Sequence, residues 1–339
     1  MLWQLLTSYR VKCVVALFIF ILSYWGVTYT ADMEGYEAFF TEKLESRDIG
    51  YASLALLFNS MGYDVIDLFK FHIVLIGLFF SLFFYKLKAP SFILLVIILT
   101  NYVAVGNQIR FYLALPLGYF SMYYLLQRKY FLFVLCSTVA VVFHFTLLIF
   151  IGLFLLCYLL QRVLSIYQMI LLSFIINAVI YVAINHLGAF NEKYTNYFDS
   201  DSISSVAGGI YILLPYIIIG FYVLYLIWKI LDAEEDYINE VWFKFVYSTT
   251  FVGVSVILIS IYLQIFAHRF IFSLLPLWLF FFMEVNKVTN NEDIRFTTRY
   301  AAVIMLPLIV FYIYILPYMI GMEPFTVNEQ RQMLESYTW

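Results

Sequence analysis

The sequence predicts an all-α polytopic membrane protein with about eleven transmembrane helices, built as a single integral membrane domain over residues 1–339. Hydrophobic residues make up 64% of the chain and charged residues only 12%, against roughly 25% charged residues in an ordinary soluble domain. Aromatic residues reach 21%, and long apolar runs recur from one end to the other. The net charge of −3 is too small to indicate a nucleic-acid partner.

The apolar runs mark the helices, and the positions of lysine and arginine orient them. The runs fall near residues 12–29, 65–85, 90–106, 110–126, 130–143, 145–161, 166–185, 208–229, 243–265, 269–285 and 300–318. With the N-terminus inside, twelve of the 19 basic residues lie in inner loops and seven lie outside. This bias predicts two outer, periplasmic loops, residues 30–64 and 186–207, and an outer C-terminal tail, residues 319–339.

The first outer loop contains two apolar segments that are unlike a transmembrane helix. Tyr36, Phe39, Phe40 and Leu44 are at helical spacing, which predicts an amphipathic helix on the membrane surface over residues 33–45. Residues 49–61 are apolar but too few to cross about 30 Å of hydrocarbon. We therefore expect the second segment to be interfacial or re-entrant.

A short hairpin predicts the depth of His144. Lys129 and Arg162 are both expected inside, so the chain between them crosses the bilayer twice. Each limb then has about sixteen residues, or roughly 24 Å of helix. His144 at the turn should accordingly lie in a depression below the outer surface.

Polar residues that interrupt the apolar runs fall on the predicted outer face. Such residues are costly in lipid and are typical of functional sites. The candidates are Asp32, Glu34 and Asp48 in the first outer loop, Asn107, Gln108 and Arg110 at the next outer turn, His144 at the third, and His268 and Arg269 at a later one.

Two arginines are candidates for binding phosphate. Arg110 and Arg269 each open a helix that carries a proline soon afterwards, Pro116 and Pro276, and a kink there would widen a cavity. A guanidinium fork suits diphosphate oxygens, although an arginine at this depth can also bond lipid headgroups.

General bases are proposed among the acidic and histidine residues. Asp32 is either the N-cap of the surface helix or a base toward a sugar hydroxyl, with Glu34 and Asp48 as second choices. His144 and His268 are either hydrogen-bonded turn histidines or functional residues. The spacing of histidines and acids predicts no metal site, and no glycine-rich loop indicates a nucleotide cofactor.

These residues resemble a known family pattern. The stretch from Asp32 to Tyr36 is followed by Phe39-Phe40, and Asp48 precedes the pair Gly50-Tyr51. An Asn-x-x-Arg turn runs from Asn107 to Ala114, a Phe-His turn ends at His144, and Arg269 begins a late helix. Over residues 30 to about 285, this order is similar to the EpsG-like branch of Wzy-type O-antigen and exopolysaccharide repeat-unit polymerases. The glutamine usual after the arginine is Phe111 here.

The resemblance implies a membrane glycosyltransferase with a fold similar to the GT-C class. Such a polymerase joins undecaprenyl-diphosphate-linked oligosaccharides at the periplasmic face of the bacterial inner membrane, beside membrane lipids and in company with a flippase and a chain-length regulator. The expected catalytic residues are Asp32, Arg110, His144 and Arg269, with no cofactor and no metal. The expected substrate-binding residues are Tyr36, Asp48, Tyr51, Asn107, Gln108 and His268.

Three other functions remain as alternatives: a flippase or other transporter of lipid-linked sugars, a membrane O-acetyltransferase or ligase of surface polysaccharide, and a non-catalytic membrane scaffold. A transporter would need charges near the bilayer midplane, whereas the polar residues here are predicted near the surface.

Overall fold

The computed structural model of the protein describes residues 8–42, 48–160, 166–189, 206–233, 236–263, 266–319 and 325–338. These residues form helices and connecting turns, with no strand among them, as the sequence predicts. The chain forms two compact units, Met1–Gly152 with Tyr314–Trp339, and Leu153–Ile313.

The first unit contains the N-terminal helices and the C-terminal helix. In chain order they are α1 (Tyr9–Trp25), α2 (Met33–Glu42), α3 (Ile49–Ser60), α4 (Val65–Lys86), α5 (Ile93–Asn107), α6 (Ile109–Leu126), α7 (Tyr130–Phe143) and the start of α8 (Leu147–Leu160). Helices α6 and α7 form an antiparallel pair, and α4 packs on α1 and α6. The core between them is aromatic, with Tyr24, Phe83 and Tyr119 fully buried.

The second unit has longer helices interrupted by irregular turns. It contains the rest of α8, then α9 (Ile166–Ala189), α10 (Val206–Asp232), α11 (Val241–Ser255), α12 (Ile257–Tyr262), α13 (Leu275–Val288) and α14 (Glu292–Val310). The π-helical segment Phe311–Ile315 follows α14. The chain returns to the first unit through α15 (Leu316–Met319) and α16 (Phe325–Glu335).

Four segments of the described chain are long and apolar enough to cross a bilayer: Val65–Lys86, Gly208–Asp232, Ala267–Val288 and Glu292–Ile315. Shorter apolar helices include α3, α5, α7 and α8, of 12 to 15 residues. The 14 residues of α7 and of α8 give about 21 Å each, so the hairpin around His144 is short, as expected. The predicted number of eleven crossings and the GT-C-like arrangement stay predictions.

The amphipathic segment of the first outer loop is helical as far as Glu42, and Leu44 lies outside the described residues. Its apolar side packs on protein, because Tyr36 and Phe40 are buried and α2 packs on α3 and α4. The predicted position of α2 at the membrane surface stays a prediction. Helix α3 has 12 residues, or about 18 Å, so it is indeed too short to span the bilayer.

The predicted helix over residues 243–265 is wrong in one respect: it breaks at Val256, between α11 and α12. The break is stabilised by Asn177 of α9. The Asn177 side chain donates to the carbonyl oxygens of Ser173 and Ser255, both at 2.6 Å, and accepts the Ile259 N–H at 2.8 Å. The bonds to Ser255 and Ile259 satisfy backbone groups at the break in an apolar environment, where each unsatisfied group is costly.

Two further predicted boundaries need correction. The helix expected from residue 269 starts with the π-helical turn Ala267–Ile271 and the 3₁₀ turn Phe272–Leu274 before α13 begins. The tail predicted over residues 319–339 contains α16, which was not anticipated. The second outer loop lies mostly outside the described residues, and its first residues, 186–189, still belong to α9.

Candidate functional site

Asp48 is the centre of a buried polar cluster in the first unit. It precedes α3, and only 6% of its surface is exposed. One carboxylate oxygen, Oδ2, accepts from Arg110 Nη1 at 2.9 Å and contacts His144 Nδ1 at 3.1 Å. The other oxygen accepts the backbone N–H of Phe145 at 3.1 Å. The carboxylate therefore joins three segments that are far apart in sequence.

The packing of α3 positions this carboxylate. At Gly50, a Cβ atom would come within 3.0 Å of the Phe143 ring, so glycine allows α3 to lie directly against α7. The Phe143 residue ends α7, and His144 follows it in an extended conformation with φ −154° and ψ 105°. Close approach at Gly50 thus brings Asp48 to the turn that carries His144.

His144 is buried, with 6% of its surface exposed, and its depth relative to the membrane surface stays a prediction. Its ring packs edge-on against Phe111. Because a carboxylate can only accept hydrogen bonds, the contact with Asp48 assigns the proton to Nδ1. In the neutral imidazole, Nε2 is then the basic nitrogen.

Arg110 lies in the first turn of α6, where its guanidinium is surrounded by aromatic rings. Its Cζ atom is 5.4 Å from the centre of the Tyr36 ring, 5.6 Å from that of Phe39 and 5.3 Å from that of Tyr51. These distances are within cation–π range. Asp48 engages Nη1, and a guanidinium has five N–H donors in all. The arrangement fixes the direction of the planar fork.

Asn107 ends α5 and fixes the turn before Arg110. Its Oδ1 accepts from the Ala31 N–H at 3.1 Å, and its backbone oxygen accepts from the Tyr36 hydroxyl at 2.6 Å. Gln108 follows with φ −107° and ψ 46°, outside helical values, and separates α5 from α6. The predicted substrate residues Asn107 and Tyr36 thus hold the turn in place.

Glu329 of α16 also belongs to this site, although the sequence analysis did not select it. It is 6% exposed, and its Oε2 accepts from Asn107 Nδ2 at 3.1 Å. Burial and the nearby charge of Asp32 raise the pKa of Glu329 to about 7, while the Asn107 hydrogen bond lowers it. Its one detectable signal in sequence is the predicted outer position of the tail, on the same side as Asn107.

Asp32, the first choice among the acids of the first loop, and Glu34, a second choice, are both exposed. The Asp32 backbone oxygen accepts the Tyr36 N–H at 3.1 Å, and its charge acts on Glu329. Asp48, a second choice as base, instead has the central position.

The electrostatics of Asp48 disfavour proton uptake. Burial raises the pKa of its carboxyl, but the hydrogen bond and charge of His144, the Arg110 guanidinium and the Phe145 N–H lower it further, so the pKa is below its ordinary value. Asp48 therefore stays ionised at neutral pH, as a counter-charge and as an acceptor that orients His144.

The structure places Arg269 and His268 in the second unit, on the π-helical turn Ala267–Ile271. The His268 ring packs edge-on against Phe272, with ring centres 4.7 Å apart, and the Ser273 hydroxyl donates to the Arg269 backbone oxygen at 2.8 Å. The roles proposed for these two residues stay predictions. Among the described residues, no group of three or more His, Cys, Asp and Glu side chains is placed to hold a metal ion.

Helices of this length and hydropathy, with a buried acid–arginine–histidine cluster, define a multi-pass helical membrane protein with a polar site in its first unit. The chain belongs to the EpsG family, whose family model matches residues 9–326. A search of curated proteins and a search of solved structures both find no match to the chain.

Proposed function

We propose that the protein is a membrane glycosyltransferase that polymerises oligosaccharide repeat units linked to undecaprenyl diphosphate, for an O-antigen, capsule or exopolysaccharide. The reaction would take place at the periplasmic face of the bacterial inner membrane. Membership in the EpsG family supports this class of reaction. The observation that supports the site most directly is the cluster of Asp48, Arg110 and His144.

The reaction exchanges one bond at the anomeric carbon for another. The bond from this carbon to the diphosphate oxygen of the growing chain breaks, and the lipid diphosphate leaves with the electron pair. A hydroxyl of the incoming repeat unit forms the new glycosidic bond and gives up its proton. Such a reaction needs a cation where negative charge develops and a base at the attacking hydroxyl.

Arg110 is the proposed cation. Its fork has donors beyond the one that engages Asp48, and guanidinium geometry matches phosphate oxygens in a bidentate manner. The rings of Tyr36, Phe39 and Tyr51 keep the guanidinium in one orientation, so little reorganisation is needed when the leaving group gains charge. The proposed reaction uses no metal ion, and Arg269 of the second unit stays a catalytic residue predicted from the sequence.

His144 is the proposed base. Asp48 binds Nδ1 and thereby presents Nε2 as the nitrogen that takes the proton of the acceptor hydroxyl. The imidazolium that forms is stabilised by the ionised Asp48. Asp32, the other candidate for this role, is exposed, whereas His144 is buried and contacts Asp48 in the cluster.

The test uses purified protein in detergent with lipid-linked repeat units, in the presence of EDTA. We expect a ladder of polymer from the wild-type protein, and loss of the ladder in Arg110→Ala and His144→Gln. Arg331→Ala, at an exposed arginine of α16, is the matched control and should retain the ladder. With the protein reconstituted into liposomes, repeat units that cross the membrane without joining would identify a transporter. In the detergent assay, activity that EDTA abolishes and Mg²⁺ restores would refute the metal-independent mechanism.

A further inference from the structure

The C-terminal helix α16 and the residues that follow it contact the C-terminal ends of α1 and α5. The Thr338 N–H donates to the Gly26 oxygen at 2.7 Å, and the Thr28 hydroxyl donates to the Ser336 oxygen at 2.6 Å. Met333 is 1% exposed and packs on Gly106, where a Cβ atom would overlap its terminal methyl group. The helix is thus an integral part of the first unit.

Glu329 is the residue by which this helix reaches the site. The Asn107 amide is held at both ends: its oxygen accepts from Ala31, and its nitrogen donates to Glu329 at 3.1 Å. The amide cannot turn over without losing both bonds, because its oxygen can only accept and its nitrogen can only donate. Glu329 therefore fixes the orientation of Asn107.

Asn107 in turn fixes Arg110, which lies three residues further along the same turn. The Asn107 backbone oxygen accepts from Tyr36, whose ring packs against the Arg110 guanidinium. The chain between the two residues leaves helical geometry at Gln108, where the Gln108 N–H donates to the Ala104 oxygen at 2.9 Å and the Gln108 oxygen accepts from the Tyr112 N–H at 3.0 Å. The side-chain contacts of Asn107 and Tyr36 add to these backbone bonds in fixing the turn.

We propose that Glu329 is a positioning residue for the reaction: through the Asn107 amide it holds the turn that carries Arg110, and α16 thereby completes the site. The inference rests on the proposed function for its kinetic consequence. Glu329 lies beyond residues 9–326, which the family model matches.

Glu329 acts in this role as a hydrogen-bond acceptor. An ionised and a protonated carboxyl group both offer an oxygen to Asn107, and so does the amide of glutamine. A positioning role therefore predicts that Glu329→Gln is active and Glu329→Ala is impaired. A role in proton transfer predicts that both variants are equally impaired.

The experiment measures kcat and KM of purified polymerase with lipid-linked repeat units. We expect kcat/KM to fall about tenfold or more in Glu329→Ala, mainly through kcat, since misplaced Arg110 weakens the transition state. Glu329→Gln should stay within about threefold of wild type, and Glu335→Ala, at an exposed glutamate of the same helix, should be unchanged. The double variant Asn107→Ala/Glu329→Ala should be no slower than Asn107→Ala alone.

Equal impairment of Glu329→Gln and Glu329→Ala would overturn the positioning role, and so would additive effects in the double variant. Deuterium uptake gives a readout that does not require activity. Peptides covering residues 104–112 should exchange faster in Glu329→Ala but not in Glu335→Ala. If wild type forms no polymer while uptake changes as expected, the proposed function fails and the positioning contact stands; unchanged uptake refutes the contact itself.

Discussion

Replacing Asp48 by asparagine should destabilise the first unit. The carboxylate is 6% exposed and accepts from Arg110, His144 and the Phe145 N–H. Removing one charge of a buried ion pair costs about 3–5 kcal/mol, because the other charge stays buried without its partner. The amide oxygen can still accept one N–H, which retains about 1 kcal/mol, and water reaches the Arg110 side chain, which is 20% exposed. We therefore expect a loss of about 3 kcal/mol.

The free energy of unfolding can be measured by titrating the protein from mild detergent into SDS. A loss of about 3 kcal/mol corresponds to roughly a hundredfold change in the unfolding equilibrium. Asp64→Asn is a matched control, since Asp64 is an exposed N-cap of α4 and asparagine caps a helix about as well as aspartate. Equal and small effects of the two substitutions would refute the view that Asp48 holds the cluster together.

The same substitution should change the response to acid. The lowered pKa of Asp48 means that its contribution to stability is complete above the ordinary value of 3.8 and is lost as the pH falls through the lower value in the folded protein. The asparagine variant has no such contribution to lose. The difference in free energy of unfolding between wild type and Asp48→Asn should therefore shrink below pH 3.8. If this difference stays constant down to the lowest pH at which the protein folds, the lowered pKa of Asp48 is wrong.

Four other outcomes can be measured. Arg110→Lys should form less than about a tenth of the wild-type polymer, because a point charge replaces the bidentate fork; half the wild-type amount would argue against that geometry. Asn177→Leu should lower the free energy of unfolding by about 2–4 kcal/mol, since it leaves the Ile259 N–H at the helix break without an acceptor. Burial and the charge of Asp32 raise the pKa of Glu329 from 4.5 to about 7, so the free energy of unfolding of wild type should fall by at most roughly 3 kcal/mol as the pH rises across that interval. The free energy of unfolding of Glu329→Gln should not fall in this way. A wild-type free energy of unfolding that stays constant across the interval would contradict the raised pKa. A cysteine at position 129 should react only from the cytoplasmic side, and labelling from outside would overturn the predicted topology.

The cluster could be anticipated in part from the sequence. The distribution of lysine and arginine predicted that Asp48, Arg110 and His144 share one side of the membrane, and the structure brings all three into contact. The sequence could not decide which acid of the first loop meets the arginine. That choice depends on the close approach of α3 and α7 at Gly50, which is a property of tertiary packing.

The contribution of α16 to the site could not be predicted either, and the reason is different. The tail is polar, so nothing in its composition indicates that one face is buried. Glu329 and Met333 are one helical turn apart, and this spacing places both on the face that docks. Their partners, Asn107 and Gly106, lie more than two hundred residues earlier in the chain, beyond the reach of any local pattern.

The contacts of a buried polar side chain show whether it satisfies backbone groups or belongs to the polar cluster. Asn177 interrupts an apolar run as Arg110 does, yet its side chain bonds to two backbone groups at the break at Val256, the Ser255 oxygen and the Ile259 N–H. Such bonds repair the helix, so a structural role accounts for the cost of burying the amide. Arg110 interacts instead with the side chains of Asp48, Tyr36 and Tyr51 at the start of an intact helix. Its helix does not need the guanidinium, and the ion pair with Asp48 offsets the cost of burying that charge. Binding of a phosphate by the remaining donors is the role proposed for Arg110.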